Sequence, residues 1–234
     1  MIIALNNKDN LTKEEFLNYQ ERLSQIEVID KMILCPTTIN IPLFKANNNC
    51  YLGAQNVCKS DVGAHTGDIS ANILKSHGVE YCIVGHSEIR ATGETNEEVK
   101  EKVLKLFEQN ITPIMCIGES FRERQENIYQ EVLINEISTV TDDLTEEQKE
   151  KIIIAYEPIW SIGTGIVPKN YEIEEVVNLI TGFLPNNKIL YGGSVNENNI
   201  DTLKSIQGID GYLLGGVSLQ PDKLSILIEK LMKK

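Results

Sequence analysis

Cationic side chains are scarce in this chain: 22 Lys and Arg stand against 34 Asp and Glu across 234 residues, a formal net charge of −12. A nucleic acid or an anionic membrane surface needs a broad basic face to neutralise its phosphates, and the acidic balance argues against both as partners. A small anion needs only a local site and stays open. Long apolar runs are missing too. Nothing approaches the ~18 to 20 residues of a membrane-spanning helix, and Met1-Ile2-Ile3-Ala4-Leu5-Asn6 lacks the basic lead and apolar length of a secretion signal. The 5 cysteines (Cys35, Cys50, Cys58, Cys82 and Cys116) are odd in number and form no C-x-x-C pair. That argues against a disulfide framework or a zinc site and for reduced thiols in a cytoplasmic protein. The 3 histidines never join them in a ligand spacing, so no metal is expected.

What remains is ordinary for a folded globular protein: 41% hydrophobic and 24% charged residues, long enough to bury a sizeable core. One rhythm runs from end to end. A short β-branched apolar run is followed by a Gly/Ser/Thr/Asn-rich turn and then an amphipathic stretch. The runs are Ile2–Leu5, Met32–Cys35, Tyr51–Ala54, Tyr81–Val84, Ile114–Ile117, Ile152–Tyr156, Ile189–Tyr191 and Gly211–Leu214. Near-continuous apolarity over so few residues predicts parallel strands covered on both faces. Thr12-x-x-Glu15 and Thr95-x-x-Glu98 read as capping boxes that open helices, and helical periods recur over Glu174–Leu184 and Asp222–Met232. A short, weak helix is expected at Ile41–Lys45. Eight such units predict an α/β fold, a (β/α)8 barrel occupying residues 1–234 as one domain, with a doubly wound open sheet as the alternative.

In a barrel, reactive side chains sit at the C-terminal ends of strands and in the loops beyond them. Reading those positions gives Asn6, Lys8, Gln55, His86, Glu119, Glu157, Ser194 and Gly215-Gly216. Three glycine-rich turns, at Gly163-Thr164-Gly165, Gly192-Gly193-Ser194 and Gly215-Gly216, let backbone amides approach an oxyanion, and their convergence on one phosphate is expected. Lys8, His86 and Glu157 would share the same mouth. A carboxylate base, a neutral imidazole at a helix start, a cation and a phosphate grip together suit proton abstraction next to a carbonyl. The apolar residues after Glu157 (Ile159, Trp160 and Ile162) suit a lid that excludes water.

The motifs resemble, in order along the chain, those of the triosephosphate isomerase family. They are Asn6-x-Lys8, Gly53-Ala54-Gln55-Asn56, Val84-Gly85-His86-Ser87-Glu88, Cys116-Ile117-Gly118-Glu119, Tyr156 through Gly165, Tyr191-Gly192-Gly193-Ser194-Val195 and Asp210 through Gly216. The resemblance implies interconversion of dihydroxyacetone phosphate and D-glyceraldehyde 3-phosphate through an enediolate, without a cofactor, in glycolysis and gluconeogenesis. It implies Glu157 as the base, His86 as the electrophile and proton shuttle, and Lys8 with Asn6 as substrate holders. Gly163, Ser194, Gly215 and Gly216 would bind the phosphate. Glu88 would pair with Lys8, and Cys116 would pack beneath the glutamate. It further implies a homodimer in which the loop around Thr66 crosses to the neighbouring subunit.

Three positions depart from the family pattern: Asn7 where the family has tryptophan, Ile89 where it has the first of two arginines, and Ile166-Val167-Pro168 at the far hinge of the lid. They leave two alternatives: an isomerase of another short phosphorylated ketose such as a tetrulose phosphate, or a catalytically weak paralogue acting as a binding protein.

Overall fold

A computed structural model describes residues 1–27, 30–47, 50–162, 164 and 166–233 of the chain. Eight parallel strands close into a barrel in sequence order. They are β1 (Ile2–Asn6), β2 (Lys31–Cys35), β3 (Cys50–Ala54), β4 (Tyr81–Val84), β5 (Thr112–Ile117), β6 (Ile153–Tyr156), β7 (Lys188–Tyr191) and β8 (Gly211–Leu214). Closure is made at β1, where Ile2 stands opposite Lys31 on one side and Gly211 on the other. The apolar runs read from the sequence therefore mark every strand, and the open-sheet alternative is set aside.

Alternation along each strand sorts the apolar side chains into two layers. Ala4, Ile33, Ile83, Ile114, Ala155, Leu190 and Leu213 fill the barrel interior. Their neighbours, among them Leu5, Leu34, Met115, Tyr156, Tyr191 and Leu214, point outward and pack under the helices. Both faces are dry, which is why the runs read as continuous instead of alternating. At the N-terminal end Lys31 plugs the barrel: its Nζ donates to the Tyr81 hydroxyl at 2.7 Å and lies 5.2 Å from the centre of the Tyr51 ring.

The outer layer holds α1 (Lys13–Leu23), α2 (Ala71–Ser76), α3 (Ser87–Arg90), α4 (Asn96–Glu108), α5 (Phe121–Gln125), α6 (Tyr129–Thr141), α7 (Glu146–Lys151), α8 (Asn170–Phe183), α9 (Ile200–Leu203) and α10 (Pro221–Met232). The Glu15 carboxylate accepts from the Thr12 amide at 2.8 Å, and Glu98 accepts from the Thr95 amide at 3.0 Å, so both expected boxes form. Two expectations need correction. The connection after β2 is a 3-10 turn over Thr38–Leu43 instead of a helix at Ile41–Lys45, because Pro42 supplies no amide and the chain extends at Phe44. The helix expected from Glu174 begins at Asn170, where the Glu172 carboxylate accepts from the Lys169 amide at 2.7 Å and satisfies a first-turn donor.

Candidate active site

The same alternation that fills the barrel carries polar side chains to its C-terminal mouth. Asn6 is two residues beyond inward-facing Ala4, and Glu157 two beyond inward-facing Ala155, so both continue the interior row above the apolar plug. With Lys8, His86, Ser194, Gly215 and Gly216 they line one cavity of about 230 Å³, walled elsewhere by Ile162, Leu213 and Val217. A larger cleft of about 480 Å³ lies outside this mouth, beside the 61–68 loop, and holds neither Glu157 nor His86.

Glu157 is 4% exposed, and its Oε2 has no hydrogen-bond partner among the described residues. Burial raises its pKa above the usual glutamate value, opposed by His86, by the Cys116 thiol and by Lys8. Two glycines make room for it. A Cβ on Gly192 would lie 2.6 Å from Glu157 Cγ, and one on Gly118 would lie 1.9 Å from the Glu157 carbonyl oxygen. The Glu157 amide donates to the carbonyl of Ile117 at 2.8 Å, tying the end of β6 to that of β5. Cys116 is buried beneath the carboxylate; burial first and then the Glu157 charge push its thiol well above the ordinary range, which makes it an inert packing group.

His86 caps α3. Its Nδ1 accepts from the Glu88 amide at 3.2 Å, which leaves the ring proton of the neutral imidazole on Nε2. That Nε2 stands 3.5 Å from Glu157 Oε2. Lys8 lines the same cavity in the left-handed region (φ 53°), a conformation held by its surroundings. Its amide donates to Asn6 Oδ1 at 3.1 Å, and its carbonyl accepts from Thr37 Oγ1 at 2.9 Å and Gln55 Nε2 at 2.8 Å. Its Nζ donates to Glu88 Oε1 at 2.6 Å. A cation, an imidazole N–H and a partly desolvated carboxylate thus face one small space.

The far wall is glycine-rich. Gly215 opens the 3-10 turn Gly216–Leu219, and nothing lies within 4 Å of the position a Cβ would take on Gly216, so the backbone is open to the cavity there. The Ser194 hydroxyl lines the same wall and donates to the carbonyl of Ser161. The remaining phosphate residue expected from the sequence, Gly163, lies outside the described residues. Thr66 is apart from this cavity on the loop 61–68, which is exposed along its whole length. Among the described residues no three His, Cys, Asp or Glu side chains gather at a metal-ligand spacing, and no helix is long and apolar enough to cross a membrane.

Asn7 and Glu119, both singled out in the sequence, make supporting contacts that it did not reveal, and Glu136 was not singled out at all. Asn7 is buried, and its Nδ2 donates to the Tyr19 hydroxyl at 3.3 Å and Ser218 Oγ at 3.2 Å, while the Tyr19 hydroxyl donates to the Ser218 carbonyl at 2.6 Å. A polar network therefore fills the place where the resemblance puts an aromatic ring, and it ties the Lys8 loop to the Gly216–Leu219 turn. Glu119 is fully buried and accepts from Arg124 Nε and Trp160 Nε1, both at 3.0 Å, and from the Tyr156 hydroxyl at 3.2 Å, anchoring the start of the loop after Glu157. Glu136 accepts from the Gly118 amide. The one legible signal for it was a glutamate on the apolar stripe Tyr129, Leu133, Ile137 and Val140 of α6.

Known proteins carry the same pattern. The triosephosphate isomerase family model matches residues 1–231. A triosephosphate isomerase of Clostridium botulinum (strain Loch Maree / Type A3) is 37% identical over 242 residues, covering 97% of this chain and 98% of that protein. One from Clostridium beijerinckii is 36% identical with the same coverage, and one from the Wolbachia of Brugia malayi is 36% identical over 235 residues, covering 99% of this chain. A closed eight-stranded barrel, a mouth of this composition and likeness from end to end lead to one conclusion: the chain belongs to the triosephosphate isomerase family.

Proposed function

We propose that this chain interconverts dihydroxyacetone phosphate and D-glyceraldehyde 3-phosphate by proton transfer through an enediolate. The observation that carries the reading is a buried Glu157 oxygen, without a hydrogen-bond partner among the described residues, 3.5 Å from the His86 Nε2–H inside a cavity sized for a small phosphorylated substrate. Glu157 takes a proton from the carbon next to the carbonyl and returns it to the neighbouring carbon. His86 donates to the carbonyl oxygen and then moves protons between the two oxygens. Lys8, held by Asn6 and paired with Glu88, offsets the charge that develops on the enediolate. Ser194 and the backbone at Gly163, Gly215 and Gly216 take the phosphate, and the loop beyond Pro158 closes over the intermediate. The family match favours neither a longer ketose phosphate nor a non-catalytic role.

The assembly belongs to the same proposal: one domain over residues 1–234, acting in the cytoplasm as a homodimer. Ile39, Val62 and Ile73 are exposed (81%, 63% and 41%), and a groove of about 470 Å³ runs past Ile39, Pro42, Gly67 and Ile73 beside the protruding 61–68 loop. Apolar exposure beside a groove supports a protein interface on this face, and Thr66 would reach the Lys8 region of the second subunit. A monomeric mass by sedimentation at micromolar concentration contradicts the dimer.

The activity is tested by the initial rate with D-glyceraldehyde 3-phosphate, coupled to reduction of the product. Turnover by the native protein and its loss in Glu157→Gln purified identically are expected; equal rates in the two contradict the reading.

A further inference from the structure

We propose that Arg90 and Glu136 are positioning residues, a buried ion pair that sets the separation between His86 and Glu157. The inference rests on the roles given to those two residues above.

Each member of the pair holds one backbone group next to the reacting side chains. Arg90, on α3, donates from Nε to the carbonyl of Gly85 at 2.8 Å, and Gly85 immediately precedes His86. Glu136, on α6, accepts from the Gly118 amide at 2.9 Å. Gly118 in turn presses on the Glu157 backbone so closely that a Cβ there would lie 1.9 Å from the Glu157 carbonyl oxygen. Between the two anchors Arg90 Nε and Glu136 Oε1 are 3.6 Å apart, with side chains only 15% and 9% exposed. The Arg90 fork is fixed further by Nη1 donating to Asn96 Oδ1. Gly85 takes a left-handed φ of 69°, and a Cβ on it would come within 3.0 Å of both Arg90 Nη2 and the Cys116 carbonyl oxygen. The guanidinium is therefore packed directly under the turn that delivers His86.

A purely structural reading fits this pair poorly. Glu136 occupies an apolar stripe on α6, where leucine would pack without the desolvation cost of a buried carboxylate. The carboxyl oxygens supply an acceptor for the Gly118 amide and a partner for Arg90, which leucine cannot do. The result is a strap from the end of β4 to the end of β5, one end under the electrophile and the other under the base.

The test compares Glu136→Leu, Arg90→Met, the double variant and the conservative Glu136→Gln, reading kcat and KM separately, with a crystal structure of each apolar variant. A displacement on the order of 1 Å costs up to ~100-fold in rate, so each apolar single variant should lose about 10- to 100-fold in kcat with KM within about threefold of native. Groups acting as a unit are non-additive, so the double variant should be within about threefold of the worse single variant. Glu136→Gln keeps an acceptor for Gly118 and should recover most of the lost kcat. The crystal structures should show the His86 Nε2 to Glu157 Oε2 separation departing from 3.5 Å. Should Glu136→Leu fail to fold, Arg90→Met and Glu136→Gln carry the comparison. Folded variants with native kcat, or losses that multiply in the double variant, overturn the strap. A native protein that does not isomerise overturns the functional reading instead, and the crystallographic separation alone then decides the strap.

Discussion

The Nε2 of His86 stands 3.5 Å from the Glu157 carboxylate while its Nδ1 accepts from the Glu88 amide. The second contact fixes the ring tautomer, so the proton-bearing nitrogen faces the base across the cavity. A substrate lying against both in the cavity meets a proton acceptor at its carbon and a donor at its oxygen. Enolisation needs that division of labour.

Burial holds Glu157 above the usual glutamate range, and Lys8 is among the groups that oppose the shift. The reaction uses the carboxylate, so kcat/KM, which reports the free enzyme, should fall as pH drops through a pKa higher than that of an ordinary glutamate. Lys8→Met removes an opposing charge and should move this acid limb to higher pH. A pH profile of kcat/KM for both proteins checks the sign; a limb that stays put or moves down contradicts it.

Gly192→Ala places a Cβ 2.6 Å from Glu157 Cγ. The base must swing away, and the expected loss in kcat is about 100-fold, with the fold retained because the collision is with a side chain. Steady-state kinetics beside circular dichroism measure both parts.

Asn7 donates two buried hydrogen bonds, to Tyr19 and to Ser218. Asn7→Ala leaves these partners short of a donor and should destabilise the protein by about 1 to 3 kcal/mol in denaturant titration. Because Ser218 belongs to the Gly216–Leu219 turn, KM should rise more than kcat falls. An unchanged KM would show that the turn does not depend on this network.

Glu136 is pushed up to about 7 by burial, with Glu123 and Glu119 adding to the shift and Arg90 and the Gly118 amide opposing it. A carboxyl whose folded pKa is raised contributes stability below its unfolded value of 4.5, and that contribution is lost as pH rises to about 7. Glu136→Gln lacks this loss. Its stability relative to native should therefore improve from pH 4.5 to pH 8, by on the order of 3 kcal/mol. Thermal melts of both proteins across that range measure the difference, and a difference independent of pH contradicts the assignment.

The barrel was legible because its strands are dry on both faces and leave short runs from Ile2–Leu5 to Gly211–Leu214 that need no partner to be recognised. Helix starts were legible where a side chain does the capping, as at Thr12 and Thr95. The turn after β2 was misread because Pro42 acts through a missing donor, which periodicity does not register. Lys8, His86 and Glu157 could be picked out because strand ends are countable. The supports behind them could not: Asn7 meets Ser218 across 211 residues of sequence, and Glu136 meets Gly118 only once α6 has docked on the barrel. Such contacts belong to tertiary packing, and a lone glutamate on an apolar stripe was the one local trace of them.

The most direct test of the central claim is solvent exchange. Dihydroxyacetone phosphate is incubated with the protein in D2O and followed by proton NMR. Deuterium should enter the carbon that loses its proton, and product should form with the native protein, while Glu157→Gln shows neither over the same interval. Exchange that persists undiminished in Glu157→Gln would mean that another group takes the proton, and the assignment of the base would be wrong.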